Sequence, residues 1–373
     1  MPDVRAVQVC KGFGDVVALD NVSLEIKDRE YVSIIGPSGC GKSTLLKCIA
    51  GITKQDSGQI FIGDREVTAL PPEERQLGYM LQEIALFPHM SSWENVGYGP
   101  RVRGKKRGVT REFVGQIMEM ARLKIGPHTY PDELSGGARQ KTALARAIAA
   151  EPQLMLLDEP LGALDAHVRA VLRYELRRLV TELGLTAIHV THDQEEAMSI
   201  SDRIVIMKAG RIVEVGTPLE LYLRPKRLFT ANFLGEANFI PGCVEECASG
   251  RIIVSVNGWK VDLEGSGFMK GGNVVLAVRP ESVVLESARG QEGLEWAGVV
   301  KEQVLLGDCI RTEVEMENNT QIVSEIPNLG LLRVKGVGER VKVGFAAGGL
   351  IPYQFPAQGL DSELSLDDSA GGT

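Results

Sequence analysis

The run Gly36-Pro37-Ser38-Gly39-Cys40-Gly41-Lys42-Ser43-Thr44 has the residue types and the spacing needed to hold a polyphosphate. Its glycines let the backbone curl without Cβ clashes, so consecutive N–H groups can turn inward toward phosphate oxygens. A helix starting near Lys42 adds its positive N-terminal end. Lys42 is placed to reach β- and γ-phosphates, and Ser43 to offer its hydroxyl to Mg²⁺. The flanks supply the strand–loop–helix context: the apolar run Val32–Ile35 precedes the loop, and Leu45, Leu46 and Ile49 follow at helical spacing. The ligand class is a nucleoside triphosphate.

Further chemistry-bearing residues stand at the ends of apolar runs. Leu154–Leu157 closes on Asp158-Glu159-Pro160. Asp158 suits a water-mediated hold on Mg²⁺, and Glu159 suits polarising an attacking water. Gln82 ends the run Leu77–Leu81, and His192 follows the run Thr186–Val190. In an α/β sheet the C-terminal strand edges are where ligands sit. His189 lies within its strand and reads as a packed core residue. Leu134-Ser135-Gly136-Gly137-Ala138-Arg139-Gln140 opens the alanine-rich helical segment Lys141–Ala150. It is a second anion-binding helix start in one chain.

Among the elements that position these residues, 4–9 and Ala18–Ile26 read as strands. Gly12-Phe13-Gly14 between them begins like a dinucleotide fingerprint, but Val17 stands where a third glycine belongs and no helix follows, so it reads as a turn. Phe13 fits either a ring that stacks on a base or a core aromatic. Tyr31–Ile35 is a strand, and the helix after the phosphate loop runs to about Ala50, stopped by Gly51. Thr53-Lys54-Gln55-Asp56 fits a guanine-reading pattern but follows the phosphate loop too closely to serve as one. Gln59–Ile62 is a further strand. Residues 80–90 mix apolar side chains with Pro88 on an irregular stretch, a docking surface or a buried connector. Helices are expected at 110–125 and 166–183, and a hairpin around Ala209-Gly210. The basic run 101–109 reads as a solvated loop, because no aromatics interleave to support an RNA contact.

With 373 residues the chain can form two or three domains. Its 41 basic and 49 acidic residues leave a net charge of −8, which is no nucleic-acid footprint. No stretch approaches the ~18 uninterrupted apolar residues of a membrane span. The N-terminal segment lacks the apolar core of a secretion signal, so a cytosolic protein with reduced thiols is expected. Cysteines fall at 10, 40, 48, 243, 247 and 309. Cys243-x3-Cys247 lacks zinc spacing and a second ligand pair.

The phosphate loop, Gln82, LSGGARQ, LLDEP, Asp165 and His192 follow one another across residues 1–235. Together they resemble the nucleotide-binding subunit of an ATP-binding cassette (ABC) transporter. The resemblance implies an α/β P-loop NTPase (RecA-like) domain with a helical subdomain at about 86–152. It implies two ATP, with Mg²⁺, bound between two copies arranged head to tail. Gly36–Thr44 of one copy and Ser135, Gly136 and Gly137 of the other clasp the same nucleotide. It gives Phe13 the adenine-stacking role and Glu159 that of general base. Gln82 senses Mg²⁺ and the lytic water, His192 is the γ-phosphate switch, and Asp165 signals across the dimer. Ala138, Lys141 and Gly162 depart from the commoner family residues without removing a phosphate-contacting group.

Residues 236–357 show short alternating strands: two around Asn257-Gly258, one at Val274–Val278, and a pair around Gly307-Asp308. They read as a small all-β barrel. With Leu276-Ala277-Val278-Arg279-Pro280-Glu281 they resemble the OB-like TOBE extension of binding-protein-dependent importers. That implies permease partners, an extracytoplasmic solute-binding protein, no nucleic acid, and a place on the cytoplasmic membrane face. Phe233–Asn238 is more similar to the polyamine and ferric-iron importer group than to the sugar group, so a polyamine, ferric iron or another small ion is the expected cargo and a sugar the alternative. A soluble, non-transport ABC ATPase is disfavoured by a single cassette without a sustained heptad run. Residues 358–373 read as a disordered acidic tail.

Overall fold

A computed structural model of the chain describes residues 3–104, 107–126, 128–162, 164–256, 258–287, 296–317, 319–327 and 335–366. The chain divides into two compact units, one ending at Leu223 and one starting at Arg224.

In the first unit, β1 (Val4–Phe13), β2 (Val16–Ile26), β3 (Tyr31–Ile35), α1 (Lys42–Ala50), β4 (Ser57–Ile62), β5 (Arg65–Glu66) and β6 (Leu77–Met80) come first. Four helices follow: α2 (Ser92–Val96), α3 (Tyr98–Val102), α4 (Arg107–Met120) and α5 (Gly136–Ala149). Then come β7 (Leu154–Asp158), α6 (Ala166–Glu182), β8 (Thr186–Val190), α7 (Gln194–Ile200), β9 (Arg203–Lys208), β10 (Arg211–Gly216) and α8 (Pro218–Leu223).

The central sheet has the order β10-β9-β3-β8-β7-β6. β9, β3, β8, β7 and β6 are parallel, and β10 is antiparallel at one edge. Both faces are covered, so β3, β8 and β7 are buried along their whole length. Alternation along each strand divides them between two cores. Val32, Ile34, Leu154 and Leu156 pack with α1 and the antiparallel sheet β2-β1-β4-β5. Tyr31, Met155 and Leu157 pack with α4, α5 and α6. Asp158 shares the parity of Leu154 and Leu156, which aims it to the α1 side.

Two local expectations change. β1 continues through Gly12 and Phe13, and the turn falls at Gly14-Asp15, because Gly12 and Phe13 pair with Val17 and Val16. The basic run is not one solvated loop: Arg101 and Val102 close α3, and residues 107–109 open α4. Lys105 and Lys106 lie outside the described residues.

The second unit begins with α9 (Leu228–Phe233), then β11 (Asn238–Ala248), β12 (Arg251–Val256), β13 (Trp259–Glu264), β14 (Asn273–Val278), β15 (Val283–Ser287), β16 (Ala297–Leu305), β17 (Cys309–Met316), β18 (Gln321–Pro327), β19 (Arg340–Phe345), β20 (Leu350–Gln354) and α10 (Leu360–Leu364). The all-β domain is built as two five-stranded antiparallel sheets, β13-β12-β11-β14-β20 and β15-β19-β16-β17-β18. They share one core that includes Ile240, Leu276, Val300 and Val341. α9 belongs here, not with the cassette, because Leu228 and Ala231 pack on Val275 and Tyr353. The buried Arg279 guanidinium donates to the carbonyls of Ala231, Gly235 and Glu236, tying α9 to the end of β14. The acidic tail is ordered further than expected: Leu360 and Leu364 pack beside α9, and Asn232 Nδ2 donates to the Leu364 carbonyl (2.8 Å). Residues 367–373 and Asn257 lie outside the described residues.

Candidate functional site

The phosphate loop joins β3 to α1 at the C-terminal edge of the central sheet. Two of its glycines are demanded by close approach. A Cβ at Gly36 would lie 2.2 Å from the Met207 carbonyl oxygen, and one at Gly41 (φ 102°) 2.2 Å from that of Ala18. Ser38 and Gly39 are exposed at the loop crest, Pro37 and Thr44 are half-buried, and Cys40 is buried beneath. Lys42 Nζ donates to the carbonyls of Gly36 (2.8 Å) and Pro37 (2.7 Å) and lies 3.8 Å from Cys40 Sγ. The ammonium is therefore held inside the curl of its own loop. Gly51 ends α1 in the left-handed conformation (φ 80°), as the sequence predicts. The Arg75 guanidinium donates to the carbonyls of Cys48 and Ile49 at that end.

Ser43 Oγ donates to Asp158 Oδ1 (2.9 Å). On the other side of the same carboxylate, the Tyr79 hydroxyl donates to Oδ2 (3.2 Å). Burial first, and the Asp158 charge second, push the Tyr79 phenol far above its ordinary range, so it stays a donor. A hydroxyl and a carboxylate side by side are hard oxygen donors, which fit Mg²⁺. Among the described residues no cluster of three or more His, Cys, Asp or Glu forms a metal cage. A magnesium ion here would share its coordination with nucleotide phosphates, as Mg²⁺ commonly does.

Next along the edge, Gln82 Nε2 donates to Glu159 Oε2 (2.9 Å), and His192 Nδ1 lies 3.4 Å from that oxygen. Glu159 takes a left-handed backbone (φ 47°), uncommon for a residue with a Cβ. Its N–H donates to the Val190 carbonyl (2.9 Å), which locks the kink onto β8. The ends of β6, β7 and β8 thus bring Gln82, Asp158, Glu159 and His192 together beside Ser43.

Ser135, Gly136 and Gly137 stand apart from this set. Ser135 caps α5, its Oγ accepting from the Ala138 N–H (3.3 Å). The glycines face Leu164 and Val168, 3.4 Å and 3.2 Å from where their Cβ atoms would be. Asp165 has a capping role that its sequence context did not disclose: Oδ1 accepts from the Val168 N–H (3.0 Å) at the start of α6. Ala163 lies outside the described residues. Phe13 is 54% exposed at the end of β1, so it is not a core aromatic. Lys11 Nζ sits 5.2 Å from its ring centroid, and Asp56 fixes both Lys11 and the Gly12 N–H at 2.7 Å.

Sequence reasoning missed Tyr79 and a buried polar cluster behind His192. His189 is fully buried, as expected of a core residue, but its Nδ1 contacts the Tyr31 hydroxyl (3.0 Å). Its Nε2 lies 3.6 Å from Glu196 Oε1, and Thr191 Oγ1 donates to Glu196 Oε2 (2.6 Å). Burial holds the His189 pKa down at about 3 and lifts that of Glu196 to about 7.

A profile of the ABC transporter family matches residues 19–162, and one of the TOBE domain matches residues 276–351. The spermidine/putrescine import ATP-binding protein PotA of Marinobacter nauticus is 41% identical over 317 residues, covering 84% of this chain and 84% of that protein. The chain belongs to the ABC transporter family. As an ABC protein of this kind it is an ATPase. The Fe(3+) ions import ATP-binding protein FbpC of Rhizobium etli is 44% identical over 315 residues, covering 84% of this chain and 88% of that protein. The ABC cassette fold also matches a solved dimeric post-hydrolysis structure of the cassette MJ0796 bound to ADP and Pi. That match has a TM-score of 0.52 and 32% identity, and it covers 58% of this chain and 98% of that one. Among the described residues no helix is long and apolar enough to cross a membrane.

Proposed function

We propose that this ABC protein is the ATP-hydrolysing subunit of an importer for a polyamine or ferric iron. It works as a head-to-tail pair on the cytoplasmic face of permease subunits fed by a solute-binding protein. The observation that carries the catalytic part is the convergence of Gln82 and His192 on one oxygen of Glu159. A carboxylate aligned by an amide and an imidazole can take the proton of an attacking water. Lys42 and the loop N–H groups bind the β- and γ-phosphates, Phe13 stacks on the base, and Ser43, Gln82 and Asp158 hold Mg²⁺. Bound there, Mg²⁺ neutralises charge building up on the phosphates. Ser135, Gly136 and Gly137 of the second copy close the pocket, which accounts for two anion-binding helix starts in one chain. Asp165, capping the helix against which those glycines lie, links closure to the partner's site.

The cargo assignment rests on the Phe233–Asn238 junction and on relatives named for spermidine/putrescine and Fe(3+) import. It is tested in proteoliposomes holding the chain with its permease partners and binding protein. ATPase stimulation by spermidine or by ferric iron, with none by maltose, is the expected result. Stimulation by maltose alone overturns the cargo assignment.

A further inference from the structure

We propose that Tyr79 is a positioning residue for the metal-holding carboxylate, acting through Asp158. A carboxylate turns easily about its last bond, because that torsion is broad rather than staggered. Here both oxygens are engaged by hydroxyls from different elements: Ser43 of α1 on Oδ1 at 2.9 Å, and Tyr79 of β6 on Oδ2 at 3.2 Å. Two opposed hydrogen bonds fix the carboxylate plane. The Ser43 bond joins the two groups that would hold the cation, so it would be remade on metal binding. The Tyr79 bond lies on the far oxygen and can persist.

The register explains why this position takes a tyrosine. β6 and β7 are parallel, with Tyr79 opposite Leu156 and Met80 opposite Leu157. Residues two apart share a face, so Asp158 lies on the face of Leu156 and Tyr79, one diagonal step along. A serine or threonine on β6 is too short to span that step, and a phenylalanine fills the space without a donor. Tyr79 packs half-buried against the α1-side core, so its ring has a fixed path to the carboxylate. Asp158 itself is 3% exposed, which leaves water little access to replace the phenol.

This inference rests on the assignment of Ser43 and Asp158 to Mg²⁺, and the experiment separates the two. The full-length chain binds the non-hydrolysable analogue AMP-PNP in EDTA and in saturating Mg²⁺, and the ratio of the two Kd values measures how much the metal contributes. Partners that orient metal ligands are worth about 10–100-fold in metal affinity. Tyr79→Phe should leave the Kd in EDTA unchanged and lower the ratio about tenfold. Tyr79→Leu, which also removes the ring, should lower the ratio equally while melting at a lower temperature. An unchanged ratio in Tyr79→Phe, with Ser43→Ala lowering it, overturns the role of Tyr79 and leaves the metal assignment intact. A fall in Tyr79→Leu but not in Tyr79→Phe assigns the effect to packing and likewise overturns it. Unchanged ratios in both Ser43→Ala and Asp158→Asn overturn the metal assignment itself.

Discussion

The amide of Gln82 donates to Oε2 of Glu159 across 2.9 Å, joining the loop after β6 to the kink after β7. A glutamine at position 159 retains an acceptor oxygen for that amide but cannot take a proton from water. Glu159→Gln should therefore bind ATP with near wild-type affinity and lose about 10²–10⁴-fold in steady-state turnover. Fluorescent-nucleotide binding and a phosphate-release assay check the two halves. Near-normal turnover in the variant would remove Glu159 from the role of base.

The His189–Glu196 pair makes a prediction about acid. Folding raises Glu196 from 4.5 to about 7, chiefly through burial. The folded state binds the extra proton in that window, so stability falls as pH rises from about 4.5 through 7. Burial lowers His189 from 6.5 to about 3, so the unfolded chain binds the proton first and stability falls as pH drops through that window. The Tyr31 hydroxyl and the Asp193 charge face His189, while Thr191, Asp193 and, from α6, Arg173 and Arg169 act on Glu196. Between about 4.5 and 6.5 the two slopes oppose each other. His189→Phe removes one of them. Its stability, relative to wild type, should rise on going from pH 6.5 to 4.5 by up to about 3 kcal/mol. Urea unfolding at the two pH values measures this, and parallel pH profiles would refute it.

How far the site could be read beforehand follows from how local its determinants are. The phosphate loop, the stop at Gly51 and the strand ending in Asp158 each rest on a few consecutive residues, and the structure has them at those places. Phe13 was legible as an aromatic but not as a strand residue, because Gly12 and Gly14 read as turn while pairing with Val16 and Val17 decides otherwise. The Tyr79 hydroxyl was invisible: it depends on β6 lying beside β7 in one register, although the paired Leu77 and Leu154 are far apart in sequence, with four helices and their connections between the strands. The motif order across residues 1–235 takes in the stretch of α9 and does not show which core its apolar residues join. Only contacts with Val275 and Tyr353, far along the chain, place it in the second unit.

The stretch after Gln82 is partly a surface and partly a clasp. Ala85, Pro88 and His89 are exposed. Phe87 is held: its N–H donates to Asn95 Oδ1 (2.9 Å), Asn95 Nδ2 donates back to its carbonyl (3.1 Å), and its ring lies 4.6 Å from that of Tyr98 and 5.1 Å from the Arg146 guanidinium. If this is where a permease loop docks, a cysteine at Ala85 should crosslink to cysteines in that loop in co-expressed complexes. Phe87→Ala should instead cost the isolated subunit about 1–2 kcal/mol of stability. Absence of any crosslink from Ala85 across a scan of permease loops would place docking elsewhere.

Cys40 places a thiol inside the phosphate loop, where its chemistry can be tested directly. Its side chain is buried, with Sγ 3.8 Å from Lys42 Nζ, and a Cβ on Gly36 would come within 2.7 Å of that sulfur. An alkyl group on Sγ must therefore displace either the lysine or the loop backbone, and both carry phosphate contacts. N-ethylmaleimide should inactivate the ATPase, and bound ATP should slow the loss by holding the loop closed over the thiol. Because access is through a buried position, the smaller methyl methanethiosulfonate should react faster than the maleimide. Cys40→Ser should resist both reagents. Equal sensitivity in that variant would trace the inhibition to another thiol, with the exposed Cys247 of β11 the first to replace.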